Sequence, residues 1–125
     1  SSSMHLKEIN SDVLCVKRGG DIMKVIKIEP GQLVTQMEYV TVPAAEEVVS
    51  DTNTDILKIA VFERHHGTGN VGVGFVRGLG LKSGAFATTV AHDSHHLIVT
   101  GTNDADILKA ARECAAMKGG VAVVR

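Results

Sequence analysis

Residues 90–96 read Val-Ala-His-Asp-Ser-His-His, three histidines and an aspartate within seven positions. Histidine changes charge near neutrality, so such a segment could move protons, hold a metal ion or orient a polar substrate. Spacing separates these chemistries. A metalloprotease helix needs histidines at i and i+4 with a glutamate between them, and His92, His95 and His96 do not supply that pattern. A Ser–His–Asp triad needs members converging from separate elements, which the neighbours Asp93, Ser94 and His95 cannot do. Asp93 and Ser94 suit a tight turn instead, because their side-chain oxygens imitate backbone hydrogen bonds. The segment reads as a corner between two strands with titratable flanks, and bland turn chemistry and a functional loop both stay open.

A second polar segment, "ERHHG", places Glu63, Arg64, His65 and His66 at a strand end. Strand alternation would send His65 and His66 to opposite faces, so one metal could not readily take both. A solvated strand end competes here with a site. The following "GTGNVG" (67–72) matches the dinucleotide-binding glycine pattern, but that motif works only where a helix N-terminus receives the pyrophosphate. Val71, Val73 and Phe75 alternate with Gly72 and Gly74, and period two means a strand. The glycines read as a turn into a strand that lets another backbone approach closely. Residues 65–84 hold seven of the chain's 13 glycines.

The elements around these loops follow from hydrophobic periodicity. Residues 11–43 predict successive strands around Val13 and Cys15 and then Ile22, Val25 and Ile28, with Gly19-Gly20 in a tight hairpin and Pro30-Gly31 in a turn. Residues 44–55 predict a loop or short helical turn. Residues 56–64, 71–78, 85–91, 96–101 and 121–125 predict strands. Residues 102–120 predict the one clear helix, with Asn103 as N-cap, Asp104 and Asp106 at the positive end of the dipole and Gly119 as a left-handed stop. Its apolar face would be Ile107, Leu108, Ala111, Cys114 and Ala115. Strands outnumber helices without βαβ alternation, so the expected class is α+β: a mixed, largely antiparallel β-sheet with a C-terminal helix packed on it.

Composition narrows the function classes. At 125 residues, 44% hydrophobic and 22% charged, the chain predicts one domain with a real core, built from aliphatic residues because aromatics are only 3%. A net charge of −1 with no basic stripe gives no support for nucleic-acid binding. Apolar runs are strand-sized, well short of the about 20 residues of a membrane span. Residues 1–4 read as a cloning remnant, leaving 5–125 as a single α+β domain. Cys15 and Cys114, far apart and in no metal or redox spacing, read as free thiols in a reducing, cytoplasmic setting.

Four blocks then acquire meaning together: "ERHHGTGN" (63–70), "GFVRGLGLKSGA" (74–85), "VAHDSHH" (90–96) and "GTND" (101–104). In this order and spacing, residues 55–111 resemble the C-terminal domain of bacterial and archaeal adenine deaminases, although His96 stands where the family carries Asn. The resemblance implies an enzyme that hydrolyses adenine to hypoxanthine and ammonia. Its centre would be a two-metal amidohydrolase barrel lying upstream of all residues here, with a divalent metal such as manganese or iron. No metal or cofactor is expected in this chain, which should be inactive alone. Its partners would be that barrel and, through it, adenine, with no nucleic acid and no membrane, and with a homo-oligomer also open.

On this view His92, Asp93, Ser94 and His95, with Glu63, Arg64, His65 and His66 as a second loop, are candidate lid or substrate contacts over the barrel mouth. Two other classes stay open. One is a stand-alone metal-binding module using His92, Asp93, His95 and His96; the other is an oligomerisation or interaction domain.

Overall fold

A computed structural model describes residues 9–29, 31, 36–63, 70–89, 96–117 and 120–125. Its strands are β1 (Ile22–Lys27), β2 (Gln36–Thr41), β3 (Ile56–Glu63), β4 (Val71–Arg77), β5 (Ala85–Thr89), β6 (His96–Gly101) and β7 (Val121–Val124), with helix α1 (Asp104–Ala116) between the last two. They form one sheet in the order β2-β1-β4-β3-β6-β5-β7. Every neighbouring pair is antiparallel except β1 and β4, which run parallel. The class is the expected one, α+β with a mixed, mostly antiparallel sheet.

Alternation decides which side chains reach the core. On one face of the sheet Ala60, Phe62, Ala85, Ala87, Leu97 and Val99 are buried against Ile107, Leu108, Ala110, Ala111 and Cys114 of α1. A smaller cluster of Val25, Val42, Val48 and Phe75 extends the packing toward β1. The helix begins where expected: the Asn103 side chain accepts from the Asp106 N–H at 2.8 Å. It ends at Ala116, with Met117 already extended at φ −93°, ψ 150°. The expected stop at Gly119 lies outside the described residues.

The N-terminal reading needs correction. Ser11–Leu14 is a 3-10 turn capped by Asn10, not a strand, because the Asn10 side chain takes the Asp12 N–H and curls the chain there. Beyond it Lys17 makes only an isolated bridge to Glu47. Gly19-Gly20 therefore closes no hairpin, and neither glycine has positive φ. The hairpin is β1–β2 instead, with Gly31 at φ 79° in its connection.

Lys58 on β3 points into the covered face, where its Nζ donates to the Leu14 carbonyl at 2.7 Å and to Asp104 Oδ1 at 2.8 Å. One buried cation thus ties the 3-10 turn and the start of α1 to the central strand. Asp55, at φ 58°, accepts from the N–H groups of Gly78 and Gly80 at 2.8 and 2.9 Å and anchors the turn after β4.

Candidate functional site

The two polar loops of the sequence are attached side by side. β3 and β6 are antiparallel neighbours, and Glu63 at the end of one lies opposite His96 at the start of the other. Cα atoms in such a pair are about 4.5–5.5 Å apart, so the segment after Glu63 and the segment before His96 leave adjacent strands at one end of the sheet. Arg64, His65, His66, His92, Asp93, Ser94 and His95 themselves lie outside the described residues.

What holds this corner is legible. Phe62 and Leu97, each fully buried, are register partners on the helix-covered face, directly before Glu63 and after His96. Packed side chains beneath the loop bases fix their position. The Glu63 N–H donates to the Asn70 carbonyl at 2.9 Å, and Asn70 Nδ2 donates to Glu63 Oε2 at 3.5 Å. Glu63, half-buried, therefore closes the base of its own loop, which is a structural role beside its candidate functional one.

Glu63, Asn70 and His96 line an open groove of about 440 Å³ together with Val61, Val71 and Gly72. A Cβ added at Gly72 would meet nothing within 4 Å, so the strand presents bare backbone there. A carboxylate, a carboxamide and an imidazole beside an apolar floor can together donate and accept hydrogen bonds to a polar, planar group. Asn70 was missed as a candidate in the sequence. Its signal was its place as the last residue of the "ERHHGTGN" block, where the chain re-enters the sheet.

Among the described residues no three His, Cys, Asp or Glu side chains converge as a metal-ligand set. The two cysteines are not joined in a disulfide; Cys114 is buried and Cys15 half-buried. Partial burial, and then the neighbouring Glu47 carboxylate, push the Cys15 thiol up from its ordinary range. That makes it a poor nucleophile at neutral pH. No helix among the described residues is long and apolar enough to cross a membrane.

Comparison with known proteins gives this corner a context. The family model for the adenine deaminase C-terminal domain matches residues 32–125. The chain is 48% identical over 124 residues to an adenine deaminase of Oleidesulfovibrio alaskensis and 47% identical over 124 residues to one of Dehalococcoides mccartyi. It is 46% identical over 125 residues to one of Bacillus pumilus. Each likeness covers 98% of this chain and 22% of the relative. The chain therefore spans about a fifth of the length of the curated relatives it matches.

Proposed function

The chain belongs to the adenine deaminase C-terminal domain family, and from that premise we propose that it is the accessory domain of a cytoplasmic adenine deaminase, packed on the catalytic barrel and closing its mouth. The whole protein would convert adenine and water to hypoxanthine and ammonia. Water would be activated at a divalent manganese or iron centre held by the barrel, and none of the described residues here forms a ligand set for that metal. What this chain would add is exclusion of bulk water and hydrogen bonds to the purine or the departing ammonia. Barrel active sites open at the C-terminal ends of their strands and are finished by loops, so a neighbouring domain with two polar loops can complete one.

The observation that carries this reading is the register of Glu63 with His96, which brings the bases of both His-bearing loops to one corner of a rigid sheet. A lid needs that arrangement, since catalytic contacts must be held within about 0.5 Å by supporting elements. In the full-length enzyme Asp93→Asn and His95→Ala should each lower kcat/KM for adenine by about 10²-fold or more, the scale of a positioned acid–base or orienting group. Stability should move by only about 0.5 kcal/mol, the scale of substitutions that break no packed or hydrogen-bonded feature. Unchanged turnover together with a lowered melting temperature would make these residues structural and remove the lid.

A further inference from the structure

Among the described residues, α1 and the 3-10 turn pack on one face of the sheet; the opposite face is buried at Leu57 and Val76 but open toward β7. On that opposite face, register places Ile59, Thr100, Phe86 and Val123 in one line across β3, β6, β5 and edge strand β7, and Val61, Ile98, Thr88 and Val121 in the next. Phe86 is 38% exposed and Val123 56%. β4 contributes Gly72 and Gly74 here, and added Cβ atoms would find open space at the first and only Ile59 Cγ2, at 3.8 Å, at the second. The close backbone approach that these glycines permit is thus not used by any described part of this chain. At the end of the face away from the His-rich corner, Leu79, Leu81, Phe86 and Val123 line a hollow of about 490 Å³ together with Thr100.

We propose that the exposed part of this face is the surface on which the rest of the same polypeptide docks, with an apolar side chain of the catalytic part seated in the hollow beside Phe86. The inference rests on the reading above and adds the face by which the domain is held. Size selects the occupant. Strand spacing of about 4.8 Å and rise of about 3.3 Å give the seven strands a face of about 650 Å² in projection. Two separate chains need about 800 Å² from each partner for a stable complex, and with Leu57 and Val76 already covered a second copy would find less than that here. A domain of the same chain needs less, because linkage replaces the cost of association with a high effective concentration, and interfaces between linked domains run down to about 300 Å² a side. The relatives are several times longer than this chain, so such a neighbour exists in each of them. Continuity argues the same way: the groove lined by Glu63 and His96 opens on this face, so a body docked there also meets the corner from which both loops emerge.

Single-cysteine labelling of the full-length protein, in a background without other reactive thiols, tests this. Val123→Cys and Phe86→Cys lie on the proposed interface, and Glu113→Cys, at an exposed position of α1, is the reference. Under native conditions both interface variants should react with a maleimide at least about tenfold more slowly than Glu113→Cys, because interface cores are packed as tightly as interiors. All three should react alike in urea. Equal native rates would leave the face open and overturn the proposal. Protection that disappears on dilution to nanomolar protein would mean a second copy is the occupant, which also overturns it. Deaminase activity is not the readout, so docking and the lid role fail independently: protection can persist where Asp93→Asn is harmless, and its loss can accompany an essential Asp93.

Discussion

Lys58 is 1% exposed, yet it carries a charge, and the cost of burying it is offset by two short hydrogen bonds, one to Asp104 and one to the Leu14 carbonyl. Breaking such a pair from one side costs more than removing the charge, because a lone buried ion keeps its desolvation penalty. Asp104→Ala should therefore destabilise the chain by about 3 kcal/mol, the lower end of the range for a broken buried pair, since Asp104 remains in part solvated. Lys58→Met should cost less, about 1–2 kcal/mol, mainly from the unsatisfied Leu14 carbonyl. Urea unfolding of both variants checks the order; a costlier Lys58→Met would show that the lysine stem, not the charge pair, holds this junction.

At the scale of elements, Gly84 joins more of the fold than its size suggests. Its carbonyl accepts from both the N–H and the hydroxyl of Thr102, at 2.9 and 3.1 Å, so it ties the start of β5 to the turn that launches α1. Its φ is +77°, and an added Cβ would come within 1.8 Å of the Val124 carbonyl oxygen on β7. Gly84→Ala should cost about 3 kcal/mol from left-handed strain and overpacking together. In a domain of this size that lowers the melting temperature by about 10 °C, which calorimetry reads directly. A loss below about 2 °C would mean β7 can shift away freely, and that edge strand would then be a weak wall for the hollow beside Phe86.

For the whole molecule, the division of labour between domains yields a direct expectation. The 125-residue chain, incubated with adenine and Mn²⁺ or Fe²⁺, should release no ammonia above background, because water needs a metal centre to become a nucleophile at neutral pH and the proposed centre lies in the barrel. Steady turnover by the purified chain would move the catalytic centre into this domain and displace the accessory reading. The family assignment itself does not depend on that result, since it rests on sequence likeness over nearly the whole chain.

Local patterns were enough for the parts of this protein that local physics governs. Alternation of Val71, Val73 and Phe75 made β4 a strand despite a nucleotide-like glycine pattern, and Asn103 set the start of α1, because capping and side-chain period depend on a few neighbouring residues. Ser11–Leu14 escaped strand expectation because one Asn10 side chain, hydrogen-bonded two residues on, outweighed apolar spacing. The burial of Lys58 was visible only as its parity with Ala60 and Phe62; that a carbonyl 44 residues earlier and a carboxylate 46 residues later would receive it was not. The same holds for the candidate site. Sequence supplied two polar loops of suitable chemistry, but their attachment to adjacent strand ends follows from β3 pairing with β6, a contact between segments more than 30 residues apart. Such pairings are decided by how all seven strands share one covered face, and no local pattern encodes that competition.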